Sequence, residues 1–279
     1  MTSARKVKTT QTSVRIIEAV RDHDGATLAE LTEALEYGRT TLFNHLRTLQ
    51  EERLLTKENE EYQIGLRFLK LGEYAHNRRA EYTPAKIQVY RLAEATNEEA
   101  TFAVAENGLM WTINYVMGDA NPSNPEAGSQ FIQIGSSYHT HNSATGKAVL
   151  SQFSNEKVRS IIETYGLPGM TEKTITDESE LFAELDRVRE RGYAVNDEEL
   201  HRGYRSIGVP VVGIDGGVLG AFSVGGPAYR FELTQPRIDD IVGVLSTSLE
   251  RVEEAMRHER EQRENDTGPD DNTGINDES

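Results

Sequence analysis

The run Ser143–Leu150, "SATGKAVL", places a Gly-Lys pair ahead of apolar residues. A phosphate loop reads G-x-x-x-x-G-K-[ST]: its amides wrap a phosphate, and the lysine and hydroxyl meet the phosphate and its magnesium. With Gly146 and Lys147 in register, the first glycine position holds His141 and the hydroxyl position holds Ala148. Two of the four fixed positions fail, so nucleotide hydrolysis through such a loop is rejected. What is left is a helix start built from small residues. Ser143 suits its N-cap, and the amides of Ala144, Thr145 and Gly146 are donors that favour an anion. Plain packing accounts for the same residues, as a small-residue helix close on a sheet with Lys147 out in solvent.

Three weaker constellations surround it. His139 and His141 have the i, i+2 spacing of two metal ligands on a strand, and His201 would complete a three-histidine site. Loop histidines without a ligand role explain them better, and no metal or other cofactor is expected. Asp197, Glu198 and Glu199 form a carboxylate run that a solvated turn explains better than acid–base chemistry. Ser143, His141 and Asp197 have the residue types of a hydrolytic triad, but no G-x-S-x-G elbow surrounds Ser143. No catalytic residue is assigned. The chain has no cysteine, which excludes disulfides, zinc–thiolate sites and a thiol nucleophile and suits a reducing cytoplasm.

A second kind of chemistry lies near the N-terminus. In "RTTLFNHLRTLQEERLL", Leu42, Leu46 and Leu49 share one helical face. The opposite face presents Arg39, Thr40, Thr41, Phe43, Asn44 and Arg47. Arginine reads guanine or phosphate, asparagine reads adenine, and threonine or an aromatic ring meets a thymine methyl. An exposed phenylalanine is otherwise unexplained.

The elements that must hold this face upright are legible on both sides. "SVRIIEAVRD" places Val14, Ile17 and Val20 at helical spacing. "ATLAELTEAL" opens on Thr27 with Glu30 three residues on, a capping box, and carries the stripe Leu28, Leu31, Leu35. The turn "EYGR", with Gly38, then leads into the reading helix, which makes a helix-turn-helix. "LLTKENEEYQIG" follows as strand, turn, strand, a wing. "LRFLKLGEYAHN" keeps helical periodicity through Leu66, Leu69 and Tyr74, Pro84 begins a new helix, and the domain boundary is placed near residue 80.

The charge is uneven. The net charge is −16; residues 1–57 hold nine basic and eight acidic side chains, so −17 falls on the rest. A strongly acidic body keeps a protein soluble at high salt, although an ordinary acidic protein with an acidic tail has the same composition. Nothing at the N-terminus has a signal peptide's apolar core, and no run approaches a membrane span.

Beyond the boundary, "EATFAVAENGLMWTINYVMG" reads as a hairpin turning at Asn107-Gly108. "GDANPSNPEAGSQ" reads as a loop and "FIQIG" as a strand. Helices follow in "SATGKAVLSQF", "NEKVRSIIETYG" and "TITDESELFAELDRVRERGYAVN", the last capped by Asp177 with Glu180 at the capping-box position. "YRSIGVPVVG" and "GVLGAFSVGG" are strands, and a long helix from "LTQPRIDD" closes the domain. The order β-β-β-α-α-α-β-β-α describes an α+β sensor-like unit on an antiparallel sheet.

A winged helix-turn-helix followed by "NSATGKAVL", "TITDESELFAELDRVRERGYAVNDEE" and "GYRSIGVPV" resembles the IclR family of transcriptional regulators over roughly residues 10–257. The resemblance implies a winged helix-turn-helix over 10–66, a linker helix over 67–83 and a GAF-like effector domain over 84–257. A flexible N-terminus at 1–9 and an acidic, disordered tail at 258–279 complete the expected layout. It further implies double-stranded operator DNA and a small-molecule effector as partners, and a homodimer or tetramer. In family members that sense small carboxylates, the effector meets helix-start amides, an aspartate, a cysteine and two serines. Matched by motif, the amides are those of Ala144–Gly146 after Ser143, the aspartate position is Asn196, the cysteine position is Ser206, and the serines are Ser223 and Gly225. An acid-to-amide change removes a charge and adds a donor, and Gly225 is expected to leave room. A sugar or sugar acid fits these changes better than a two-carbon acid; an aromatic acid walled by Met110, Trp111 and Phe222 is the alternative. Two other classes compete: a protein-interaction scaffold whose winged helix does not touch DNA, and a metabolite-binding enzyme with an accessory winged helix.

Overall fold

The computed structural model describes residues 6–118 and 132–266. The chain divides between Arg78 and Arg79 into two compact units.

In the first unit, α1 (Lys8–Asp22), α2 (Leu28–Leu35) and α3 (Arg39–Glu51) enclose a core of Ile16, Val20, Leu31, Leu42 and Leu46, all fully buried. The capping box at the head of α2 is present in both directions between Thr27 and Glu30. Glu36, left-handed at φ 53°, ends α2, and Gly38 caps α3. The wing is a three-stranded antiparallel sheet of β1 (Ala26–Thr27), β2 (Leu55–Glu58) and β3 (Glu61–Ile64), in the order β1-β3-β2. Its turn residues Asn59 and Glu60 both have positive φ, which matches the twist of a two-residue hairpin. On α1 the buried stripe is Thr12, Ile16, Ala19 and Val20; Val14 is 49% exposed, so the expected Val14–Ile17–Val20 face is rotated. Both stripes have helical spacing, and only the position of α2 and α3 decides between them. Helix α4 (Arg67–Asn77) buries none of its residues, and Leu66, Leu69 and Tyr74 are more than 70% exposed.

In the second unit, α5 (Tyr82–Thr96) precedes a hairpin of β4 (Glu99–Glu106) and β5 (Leu109–Val116). Asn107 and Gly108, both at positive φ, make its turn. After β6 (Ser137–His139) come α6 (Ala144–Ser151), α7 (Asn155–Tyr165) and α8 (Glu178–Arg191), then β7 (Ala194–Asp197), β8 (Tyr204–Val212), β9 (Val218–Pro227) and α9 (Gln235–Asp266). The strands form one antiparallel sheet, β6-β5-β4-β9-β8-β7. One face carries Phe102, Val104, Ile207, Val209, Phe222 and Val224 against α5 and α9. The other packs Ala103, Met110 and Ala221 against Ala148 and Val149 of α6.

Several expectations are corrected. Ile132–Gly135 of "FIQIG" is not strand: Gly135 at φ 86° turns the chain, and pairing with β5 begins at Ser137. Phe131 and residues 119–130 of the expected loop lie outside the described residues. "AVND" is a short edge strand, β7, rather than the end of a helix, because Gly192 at φ 80° stops α8 and the chain returns to pair with β8. Helix α9 continues to Asp266, into the tail expected to be disordered, with charged neighbours such as Glu253 and Arg257 paired one turn apart. Residues 267–279 lie outside the described residues.

Candidate DNA-reading face and effector site

The reading face is built first by its support. Leu42, Leu46 and Leu49 anchor α3 in the core, and His45 Nδ1 lies 2.9 Å from Ser13 Oγ on α1. Arg15 reaches the Tyr37 hydroxyl at 3.1 Å, tying α1 to the turn before α3. With that side occupied, Arg39, Thr40, Thr41, Phe43, Asn44 and Arg47 are all exposed on the other. Phe43 is half exposed, and Arg47 pairs with Glu51 at 2.9 Å along the same helix. This is the arrangement in which a helix enters the major groove with its N-terminal residues toward base edges.

The second site lies between α6 and the sheet. Strand alternation and register place Glu99, Gly225, Ser206 and Asn196 in one lateral row across β4, β9, β8 and β7. The next row holds Tyr115, Thr101, Ser223 and Gly208. Both rows face away from α5 and α9, because their neighbours Ala100, Phe102, Ile207, Phe222 and Val224 fill the other core. Helix α6 comes down on the second row: a Cβ at Gly208 would lie 2.9 Å from the carbonyl carbon of Ala144. A Cβ at Gly146 would lie 2.1 Å from the Thr140 carbonyl oxygen. The glycine of the Gly-Lys pair therefore serves close approach of the chain rather than phosphate binding.

Ser143 is the N-cap of α6, its hydroxyl accepting from the Gly146 N–H at 3.0 Å. That cap leaves the N–H groups of Ala144 and Thr145 at the positive end of the helix. Thr145 Oγ1 lies 2.9 Å from the Tyr138 hydroxyl. Burial, reinforced by the Glu99 carboxylate, pushes the Tyr204 phenol well up, so it stays protonated.

Lys147, in solvent on the plain-packing reading, and Glu199, expected on a solvated turn, are both buried. Lys147 Nζ donates to Glu199 Oε1 at 2.6 Å and lies 3.7 Å from Glu184 Oε1 on α8. Burial pushes the Glu199 carboxyl up, against the pull of Lys147. The backbone N–H of Glu199 in turn donates to Asn196 Oδ1 at 2.9 Å. Asn196 Nδ2 reaches Ser206 Oγ at 3.3 Å and the Tyr204 carbonyl at 3.4 Å. A chain of polar contacts thus runs from the α6 lysine to the sheet. The only advance signal for it was a lysine inside an otherwise small and apolar helix, since lysine is almost never buried unless paired.

Other expectations change with this geometry. The space beside Gly225 is taken, since a Cβ there would lie 2.5 Å from the Tyr204 hydroxyl; Gly225 makes room for Tyr204. Trp111 and Phe222 belong to the α5–α9 face, so the aromatic wall with Met110 does not form; neighbours along a strand point to opposite faces. The imagined triad is dispersed: Ser143 is a cap, His141 Nε2 lies 3.2 Å from the Pro168 carbonyl, and Asp197 pairs with Arg205 and Lys173. The rings of His139 and His141 lie 5.5 Å apart, and burial lowers the pKa of both. Among the described residues no group of three or more His, Asp or Glu could hold a metal ion.

A winged helix-turn-helix with an exposed reading face, and a sensor-like domain with a polar layer under a helix start, define a ligand-responsive transcriptional regulator. Residues 11–59 match the IclR helix-turn-helix domain, and residues 76–253 match the bacterial transcriptional regulator IclR C-terminal domain. The chain belongs to the IclR family. It is 29% identical over 238 residues to the probable HTH-type transcriptional regulator ArcR of Halobacterium salinarum, covering 82% of this chain and 86% of the relative. It is 26% identical over 243 residues to the HTH-type transcriptional regulator KdgR of Escherichia coli, covering 86% and 89%. The fold matches the crystal structure of the Thermotoga maritima IclR at a TM-score of 0.71 and 21% identity, covering 89% of this chain and 98% of that one.

The buried ion pair yields the first expectation. Lys147→Met should cost the second unit about 3–5 kcal/mol at neutral pH by stranding Glu199, and less at mildly acidic pH, where Glu199 takes up a proton. Lys147→Met with Glu199→Met should recover most of the loss. Denaturant unfolding followed through the second unit reports it, and a single variant as stable as the parent would deny the pair this role.

Proposed function

We propose that this IclR-family regulator reads operator DNA with Arg39, Thr40, Thr41, Phe43, Asn44 and Arg47, and answers to a small hydroxylated acid held beneath α6. The observation that carries the DNA half is that all six of these residues are exposed on a helix whose leucines are buried. Arg39→Ala or Asn44→Ala should each weaken specific binding by about 1–3 kcal/mol without unfolding the protein. A mobility-shift assay tests this, and unchanged operator affinity in both would remove α3 as the reader. The acidic composition and the likeness to a Halobacterium relative support a salt-adapted protein. Repeated at several salt concentrations, the assay should show a shallow or reversed dependence; the steep fall typical of six or more phosphate contacts argues against that adaptation.

The effector half rests on two observations: the Ser143 cap leaves the Ala144 and Thr145 amides at the positive end of α6, and the sheet it packs on carries buried polar side chains. The carboxylate of the ligand meets those amides after Ser143, and its hydroxyl groups meet the two rows at Ser206 and Ser223 and the Tyr204 hydroxyl. Asn196 acts on Ser206 and the turn, and Gly146 and Gly225 act by yielding space. Calorimetry should show binding of an aldonate such as gluconate; response to glyoxylate or pyruvate, with none to any aldonate, pentose or hexose, would refute this ligand class. We read the protein as acting by binding rather than catalysis, which its membership of a family of transcriptional regulators supports. Among the described residues no helix is long and apolar enough to cross a membrane, and we place the protein in the cytoplasm with its DNA.

We also propose that the chain works as a homodimer or a pair of dimers. Leu66, Leu69, Leu71 and Tyr74 leave an exposed apolar run on and beside α4 that a second copy would cover. Sedimentation should give a dimer or larger at micromolar concentration; a single-chain mass would exclude this.

A further inference from the structure

The polar layer under α6 contains a group for which the expected effector contacts have no use. Glu99, 1% exposed, is a carboxylate on the floor of the site. It stands directly opposite Gly225, and Gly225 stands opposite Ser206, so Glu99 and Ser206 project to the α6 side with the bare Gly225 backbone between them. The place a Cβ would take at Gly225 lies 2.5 Å from the Tyr204 hydroxyl and 2.7 Å from Ser206 Cβ. The missing side chain therefore lets a phenol hydroxyl settle between Glu99 and Ser206. One step along β4, on the same face, Thr101 is 1% exposed and its hydroxyl has no hydrogen-bond partner among the described residues. A buried hydroxyl without a partner costs free energy unless something supplies one. Its neighbours in the row, Tyr115 and Ser223, are themselves hydroxyl-bearing.

The chemistry of this floor differs from that of the roof. The helix start offers N–H donors and a positive end, which suits an anion. An ionised carboxylate is an acceptor only, so it binds the hydroxyl hydrogens of a ligand and repels a second negative charge. A buried anion beside another anion is penalised heavily because neither is solvated.

We propose that Glu99 is the specificity-determining residue of this site, holding the hydroxyl groups of a polyhydroxylated monocarboxylate and excluding dicarboxylates. Thr101 supplies a further hydroxyl contact. The inference rests on the reading of the layer beneath α6 as the effector site. Exclusion by a placed repulsive group is how a site separates ligands that share most of their contacts. Rejection of an acid lacking hydroxyls has a second cause, since it would leave the buried polar groups of the floor unpaired.

Calorimetry on the full chain decides the matter, with three probes: gluconate, glucarate, which adds a second carboxylate, and hexanoate, which lacks the hydroxyls. The parent should bind gluconate at least tenfold more tightly than either of the others. Glu99→Gln keeps the shape and removes the charge, and should narrow the gluconate-to-glucarate ratio by about tenfold, mainly by gaining glucarate. Should Glu99→Gln fail to fold, Glu99→Thr, which suits a strand, carries the same comparison. Ser223→Leu, which fills the adjoining row, should abolish binding of all three probes. A ratio unchanged in the Glu99 variant, with binding still lost in Ser223→Leu, overturns the role of Glu99 and leaves the site standing. Preference of the parent for glucarate overturns it equally. No binding of any probe by parent or variant overturns the acid-effector reading itself, and this inference with it.

Discussion

A lysine ammonium with 2% of its side chain exposed is the constraint around which the second unit is arranged. Lys147 cannot stay charged there unless carboxylates come to it, and they come from two directions: Glu199 after β7 and Glu184 on α8. Glu184 is shared in turn with Arg187 and Arg191, each at 2.8 Å, on the outer side of α8. Desolvation of such a group is expensive, so the arrangement holds only with the helix, the turn and α8 all in place. The helix start above the sheet is therefore located by a charge one turn further along the same helix.

The turn that brings Glu199 in is held from both sides. Asn196 accepts from the N–H groups of Glu199 and Leu200 beneath it. From above, Thr171 and Thr174 donate to the carbonyls of Glu198 and Glu199 at 2.8 and 2.7 Å. The position matched by motif to a ligand-binding aspartate has thus become the fastening of a turn, and it touches the polar layer beneath α6 through Ser206. An aspartate there would bring a second acid near Glu199; the amide removes that repulsion and adds a donor for Ser206.

The sheet separates its two tasks by alternation. Even positions of β4 such as Ala100, Phe102 and Val104 join the core under α5 and α9, while Glu99, Thr101 and Ala103 face α6. One irregularity in the β4–β5 pairing, between Phe102 and Ala103, keeps Thr112 on the α6 side although Asn114 turns toward α5. The face under α5 and α9 is mainly apolar, while the other divides between a small apolar core of Ala103, Met110 and Ala221 against α6 and the buried polar rows beside it.

Local chemistry was enough for the reading domain. Leu42, Leu46 and Leu49 at helical spacing, the Thr27–Glu30 capping box and the polar turn of the wing each specify their element through neighbours a few residues away. The hairpin at Asn107-Gly108 and the Asp177 cap were legible for the same reason. Strand alternation would also have separated Phe222 from Ser223, and the aromatic wall was drawn across that rule. Where two patterns fitted equally, as on α1, or where an element was too short to show a period, as at β7, only packing could choose. The fate of Lys147 and Glu199 lay further out of reach, because they stand 52 residues apart and nothing in either neighbourhood names the other. By itself the sequence determined the family and the elements with a clear period, cap or turn, since those signals are short-range. Tertiary structure alone decided which acids are buried, which glycines yield space to a neighbour and which side chains share the layer beneath α6, because burial and register are set by partners distant in the chain.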